Sequence, residues 1–140
     1  MASSRQNVCE TIAALLPSYA TGLQATYSYL RYTFGSQTPV ALVVAAGSRR
    51  ERLTPQGGTL YHQVDVHLFV LYASDADGVT EQDAYTTLAA LEQGVSDMVD
   101  RNRRGTYWKD LHYRGETTIQ DDIVEGLAYL HEIVPLEALV

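Results

Sequence analysis

The chain has 140 residues, of which 46% are hydrophobic and 19% charged, as expected for one globular domain. It contains no uncharged apolar run of about 18 residues, so no transmembrane helix is predicted. The net charge of −7 disfavours a protein whose main task is to grip nucleic acid. The single cysteine, Cys9, cannot form an internal disulfide and fits a reducing cytoplasm, and the first residues lack a secretory signal pattern. We therefore expect one domain over residues 1–140 that makes no membrane contact.

The first third of the chain predicts one helix and two strands. Val8, Ile12 and Leu16 recur at helical spacing, which predicts a helix over about residues 4–16 that ends at Pro17. Residues 25–32 alternate between tyrosine and smaller side chains, as in a strand. A short apolar run at 40–46 is typical of a buried strand, and the arginine-rich stretch 48–58 that follows, with Pro55 and two glycines, predicts a charged loop.

The remainder predicts a long strand, a long helix and two further strands. Residues 59–73 alternate most clearly, and an apolar stripe over about 80–101 predicts an amphipathic helix. Residues 107–113 predict a short strand and 126–139 a last one, while the carboxylates at 121, 122 and 125 are typical of a solvated turn. Helices separated by runs of strands favour an α+β fold. We expect an antiparallel or mixed sheet of four to five strands with both helices packed on one face.

No metal, cofactor or catalytic site is predicted. His62 and His67 differ by an odd number along one strand and therefore point to opposite faces. Asp65 and His67 share a face, but two ligands are too few for a metal site. Cys9 lies at the edge of the first helix's apolar stripe, as a core thiol does, and no phosphate-binding glycine loop or nucleophile motif occurs. We expect the protein not to be an enzyme.

The arginines and tyrosines are the distinctive residues. Nine of the ten basic residues are arginine, and there are ten tyrosines against two phenylalanines. Arginine and tyrosine are enriched at protein–protein contacts, although a high-GC coding bias would also favour arginine. One arginine cluster lies on the predicted 48–58 loop, where it would meet an acidic partner surface. A second closes the long helix, where cations favour the helix dipole, and runs into a basic-aromatic segment that could stack single-stranded bases; we favour a subunit contact there. The predicted contact residues are Arg49, Arg50, Arg52, Leu53, Tyr61, Arg103, Arg104 and Trp108.

The element order and three local patterns resemble the tail terminator and head–tail joining proteins of long-tailed bacteriophages, a family of minor tail proteins. The helix ending Ile-Ala-Ala-Leu-Leu-Pro at residues 12–17 is similar to that family's first element. The run at 62–71 resembles its central long strand, and the run at 126–136 resembles its closing strand. The resemblance extends over nearly the whole chain and is one of pattern and order.

The resemblance implies a virion protein of the tail or neck that is assembled in the host cytoplasm. Its copies would form a ring, commonly of six subunits, that caps the tail tube, stops tube polymerisation and joins the tail to head-completion or stopper proteins. DNA would pass through the lumen without sequence-specific binding. The family has no catalytic residues and no cofactor, and its inter-subunit contacts come from the sheet and from the loop between the second and third strands, here residues 49–58.

Three alternatives stay open at this point. The chain could be a head-completion, stopper or other neck protein of the same junction. It could instead be a small enzyme or ligand-binding domain, which would need a pocket with convergent polar groups around Asp65, His67 and residues 107–113. A nucleic-acid-binding module that uses Arg101, Arg103 and Arg104 is the third alternative.

Overall fold

The computed structural model describes residues 4–31, 33–34, 38–54, 57–71 and 81–140, with the side chains at 52–54, 57 and 81 left out. Two helices and six strands make up this part of the chain. None of the helices in these ranges is long and apolar enough to span a bilayer. The elements in chain order are α1 (Arg5–Tyr19), β1 (Ala25–Tyr27), β2 (Val40–Thr54), β3 (Gly57–Leu71), α2 (Glu81–Arg101), β4 (Asp110–Tyr113), β5 (Thr118–Val124) and β6 (Leu127–Leu139).

The six strands form one mixed sheet. Its order is β1-β2-β3-β6, and the far edge of β6 pairs with β4 along one half and with β5 along the other. Strand β1 runs parallel to β2, and all the other pairs are antiparallel. The expected α+β class and mixed sheet are confirmed, with six strands in place of four to five.

Both helices pack on one face of this sheet, as predicted. Alternate residues of β2, β3 and β6 point to that face, where they form the main core with the apolar stripes of α1 and α2. The helices also approach each other closely, because a Cβ on Gly94 of α2 would lie only 2.7 Å from the Cα of Ala20. The largest fully buried aliphatic side chains include Ile12, Leu16, Leu68, Leu88, Leu91, Leu130 and Leu136.

Helix α1 continues past the proline that was expected to end it. Its start is capped by Ser4, whose hydroxyl accepts a hydrogen bond of 3.1 Å from the backbone of Asn7. Pro17 lies inside the last turn and cannot donate to the carbonyl of Ala13. The hydroxyl of Thr26 donates to that carbonyl at 3.1 Å instead, so the helix keeps its acceptor satisfied and extends to Tyr19.

The predicted 48–58 loop is wrong. Strand β2 continues to Thr54 and β3 begins at Gly57, so residues 48–54 and 57–58 form the distal half of a long β-hairpin, and residues 55–56 lie outside the described part of the chain. A shift in register beside Gly47, whose φ is +142°, separates the apolar first half of β2 from its charged second half. Charge and glycine content predicted a loop because an exposed hairpin has no buried face to impose apolar alternation.

Three strand boundaries also differ from the prediction. The strand expected at 25–32 is only three residues long, and the one expected at 107–113 begins at Asp110. Residues 118–124, expected to include a solvated turn, form strand β5. The turn itself is Glu125–Gly126, with φ of 53° and 78°, which is the two-residue turn that suits a tight hairpin.

Candidate functional site

The face of the sheet opposite the helices, here called the outer face, collects most of the polar side chains that could do chemistry. Directly paired residues of antiparallel strands point to the same side. Tyr61, Asp65 and His67 of β3 therefore share this face with His131 and Glu137 of β6. A small apolar cluster covers one part of it, and its buried members are Phe34, Val40, Leu42, Phe69 and Tyr129.

Arg49 lies at the centre of an ionic network at the base of the hairpin. Its guanidinium carbon is 4.1 Å from the centroid of the Tyr61 ring, and its Nη2 donates to Glu137 Oε1 at 2.9 Å. It also pairs with Glu51. His112 Nε2 is 3.2 Å from the same Glu137 oxygen, and its Nδ1 is 2.7 Å from Asp110 Oδ2. Arg49 and Tyr61, two predicted contact residues, are thus brought together.

Glu137 is almost fully buried in this network. Burial alone would raise its pKa, but the hydrogen bonds from Arg49 and His112 outweigh it, so the pKa of this carboxyl lies below its usual range. Glu137 is therefore a fixed anion that holds the arginine over the Tyr61 ring. The arrangement therefore orders the Arg49 side chain.

A second polar group joins three side chains in a line. His67 Nδ1 lies 2.8 Å from His131 Nε2, and His131 Nδ1 contacts the carboxylate of Asp122. Gln120 Nε2 donates to Asp122 Oδ2 at 3.0 Å. The His131 ring stacks on Phe69, with centroids 4.1 Å apart and planes at 15°.

Asp122, the acceptor at the end of this line, determines which ring nitrogens carry the protons. An ionised Asp122 accepts from His131 Nδ1, which leaves His131 Nε2 to accept from His67 Nδ1. The Gln120 hydrogen bond, followed by His131, lowers the pKa of Asp122. Burial, then the neighbouring His131, lowers the pKa of His67. The line can pass a proton between His67 and Asp122. In the described ranges, no group of three or more His, Cys, Asp or Glu side chains could hold a metal ion.

The sequence placed His62 and His67 on opposite faces, and this is confirmed. His62 lies on the helix side, 2.9 Å from the Ser48 hydroxyl, and His67 lies on the outer face. Asp65 and His67 do share a face, but Asp65 pairs with Arg114 Nη2 at 2.6 Å. The sequence missed the His67–His131 contact because it depends on the β3–β6 register across 64 positions. Side-chain alternation could have put both on one face only if the strand order had been known.

The remaining predicted contact residues lie in different places. Arg50 and Arg104 are exposed, and Arg103 is exposed with its Nη2 3.5 Å from Asp110 Oδ1. The side chains of Arg52 and Leu53 lie outside the described residues.

Trp108, one of the predicted subunit-contact residues, does not lie on an exposed surface. Its side chain is buried, and its Nε1 donates to the carbonyl oxygen of Asn102 at 2.7 Å. A Cβ on Gly105 would come within 2.7 Å of the indole ring. The indole therefore packs under the turn between α2 and β4, and its faces are not available to stack on bases or on a second subunit.

One cavity lies away from both polar groups. Its volume is about 290 Å³, and it lies between the end of α1 and the first half of α2, where Tyr19, Thr86 and Leu91 contribute to its lining. The pocket expected for a small enzyme around Asp65, His67 and residues 107–113 does not coincide with this cavity.

No protein-family model matches the chain, and no similar protein is found among curated sequences.

Proposed function

We propose that this chain is a structural ring subunit of the head–tail junction of a long-tailed bacteriophage. It caps the tail tube, ends tube polymerisation and joins the tail to a head-completion or stopper protein. The proposal begins from the resemblance of the element order to tail terminators. The observation that carries it further is the β2–β3 hairpin, which reaches beyond the rest of the sheet.

The distal hairpin is a two-stranded ribbon. Strand β6 pairs with β3 from Tyr61 onward, and Val140 N donates to the Leu60 carbonyl at 3.0 Å, so residues 57–59 of β3 are the ones that pair with β2 alone among the described residues. At about 3.3 Å per residue, three residues extend roughly 10 Å past the end of β6. An isolated two-stranded ribbon is marginally stable in water. A contact with another subunit or with the tail tube would stabilise such a ribbon.

The charges on the hairpin support a protein partner. The Arg49–Glu137 pair fixes the base of the ribbon to the sheet, and the exposed Arg50 follows it. Arginine pairs with carboxylates through two parallel donors, which suits a specific contact with an acidic surface. Charged side chains also prevent indiscriminate pairing of an exposed strand.

Tube capping tests this proposal directly. The full chain is added to polymerising tail tube protein of the same phage, and tube lengths and ends are measured by electron microscopy. We expect rings at one tube end and a halt in elongation. Arg50→Glu should weaken capping at least about tenfold, whereas Arg5→Glu, the same charge change at an exposed residue of α1, should not. A protein that stays monomeric and leaves tube growth unaffected overturns the proposal.

Two other roles make different predictions. A stopper or other neck protein of the same junction would bind the head-completion side and leave tube growth unchanged, which the same experiment detects. The Asp122–His131–His67 line favours, as a second candidate, a small ligand-binding domain. In that case a ligand would perturb the His67 and His131 imidazole signals in NMR spectra, and ring formation would be absent.

A further inference from the structure

The sheet ends in two open edges on opposite sides. On one side, β1 pairs with β2 only as far as Leu42. On the other side, β5 pairs only with β6. Among the described residues, no further backbone hydrogen bond reaches either the rest of the β2 edge or the free edge of β5. Both edges therefore present unpaired N–H and C=O groups to a partner strand.

The free edge of β5 carries two exposed isoleucines as well as unpaired backbone groups. Because Glu125–Gly126 is a two-residue turn, Val124 and Leu127 form a hydrogen-bonded pair. Every second residue back along the strand then points its backbone groups outward, namely Ile119, Asp121 and Ile123. The two isoleucine side chains are 50% and 78% exposed. Neither would stay so exposed if a strand were added at this edge.

The two edges carry opposite charge. Strand β5 and its flanking residues, 115–126, contain four carboxylates and no lysine or arginine, and Glu116, Asp121 and Glu125 of this stretch are exposed. The open half of β2 carries Arg49, Arg50 and Arg52 against a single acid, Glu51. The Arg49 charge is already matched by Glu137, so Arg50 is the exposed cation that the described part of the β2 edge offers to a partner.

We propose that the open β2 edge (residues 47–54) of one copy pairs with the β5 edge of the next copy, which joins the sheets of neighbouring subunits head to tail. The two edges lie on opposite sides of one sheet, so they cannot meet within a single chain. Such a heterologous contact generates a closed ring when the rotation closes. This inference rests on the proposed ring function and names the surfaces that build the ring.

Charge also disfavours the symmetric alternatives. Pairing of β5 with β5 would bring Asp121 and its neighbouring carboxylates against their own copies. Pairing of β2 with β2 would do the same with arginines. Like charges directly opposite each other destabilise a strand pair, whereas the β2–β5 combination matches cation to anion along the strands.

Chemical cross-linking of single-cysteine variants tests the arrangement. Glu51→Cys and Thr118→Cys both change exposed side chains and leave Arg50 and Asp121 in place. The native Cys9 does not interfere, because it is fully buried and burial raises the pKa of its thiol to about 11. A bis-maleimide reagent with a span of about 10–15 Å, the width of two to three strand spacings, is applied to each variant and to their mixture. We expect covalent dimers only in the mixture, and a ladder ending in a closed ring for the double variant.

The outcomes separate this inference from the proposed function. Dimers formed by either single variant alone, or the absence of dimers in the mixture, overturn the β2–β5 contact. If tube capping is intact while these cross-links are missing, the function survives and the contact is wrong. If the cross-linked ladder forms and tubes are not capped, the contact holds and the function is wrong.

Substitutions at Ile123 provide a second test through the backbone. Ile123→Pro removes an N–H that points away from β6, so the β5–β6 ladder should remain and the far-ultraviolet circular dichroism should be unchanged. Association, followed by sedimentation, should weaken at least about tenfold because an outward backbone donor is lost. Ile123→Thr keeps the donor and should have a smaller effect. Equal association of the Pro variant and the parent protein contradicts strand pairing at this edge.

Discussion

Strand β6 carries two buried glutamates that point to opposite faces of the sheet, and their environments differ in kind. Glu132 lies on the helix side, is fully buried, and neither of its carboxylate oxygens has a hydrogen-bond partner among the described residues. Burial, followed by the nearby Glu92, raises its pKa to about 7. Glu137 lies on the outer face, where Arg49 and His112 satisfy it and its pKa is lowered. One strand therefore separates the face with the main apolar core from a face where ionic pairs accompany a smaller apolar cluster.

Substitutions on the two faces of the sheet should therefore have different effects. On the helix face each side chain packs against many neighbours, so substitutions there should change the free energy of unfolding. On the outer face and at the sheet edges, pairs of side chains act locally, so substitutions there act on contacts and on pH dependence. The following predictions separate the two faces by the size and sign of their effects.

Leu136→Ala should have the largest effect on stability. Leu136 is fully buried on the helix face, and its truncation should lower the free energy of unfolding by about 2–5 kcal/mol. Leu127→Ala on the same strand is the matched control. Leu127 is 41% exposed, so its loss should cost less than about 1 kcal/mol. Urea unfolding measures both, and equal costs would contradict the assignment of the helix face as the main core.

Glu132→Gln should stabilise the protein above neutral pH. A carboxyl whose pKa is raised from 4.5 to about 7 holds its proton more tightly in the folded state. Its contribution is therefore complete below about pH 4.5 and is lost as the pH rises to about 7, at a cost of about 3 kcal/mol. Glutamine cannot ionise, so the variant should be more stable than the parent protein at pH 8 and about equal at pH 4.

Unfolding curves at several pH values measure this difference. Glu116→Gln, which removes an exposed carboxyl, is the control and should leave the pH dependence unchanged. A Glu132→Gln variant that keeps the parent protein's loss of stability between pH 4.5 and 7 would show that another group is responsible.

Glu137→Gln should act in the opposite direction and more weakly. A carboxyl with a lowered pKa stabilises the folded state above its unfolded pKa, and this stability is lost as the pH falls through its folded pKa. The variant should lose about 1–2 kcal/mol at pH 7, and its difference from the parent protein should vanish in acid. Combination with Arg49→Gln should be less than additive, since both changes remove the same pair. Additive losses would show that the pair is not coupled.

The sequence predicted the helix-face half of this comparison well. Apolar spacing gave both helices and the alternation of β3, because burial against the helices imposes a period on the chain. The sequence does not predict that Glu132 is buried. On that face of the strand, a polar residue between Leu130 and Val134 gives the same pattern whether it is exposed or buried. The sequence also missed β5, whose Gln-Asp-Asp centre is polar on both faces.

The polar groups of the outer face depend on strand order, which local patterns do not contain. His67 and His131 are 64 positions apart and meet only because β6 inserts between β3 and β5. Arg49 meets Glu137 for a related reason, across the width of β3. Long-range pairing of this kind determines the candidate site, whereas short-range periodicity determines the core.

Asp122→Asn should have the smallest effect on stability and the most local one. An asparagine oxygen can still accept from His131 Nδ1, so the line of side chains should keep its geometry, at a cost of less than about 1 kcal/mol at this half-exposed position. The negative charge that supports protonation of His67 is lost, so the pKa of His67, already lowered by burial, should fall further. Imidazole NMR titration measures this fall, with Asp121→Asn on the opposite side of β5 as the control. If both variants leave the His67 titration unchanged, Asp122 and the histidines titrate independently. If only Asp122→Asn lowers the pKa of His67, then Asp122, His131 and His67 form one electrostatic unit on the outer face.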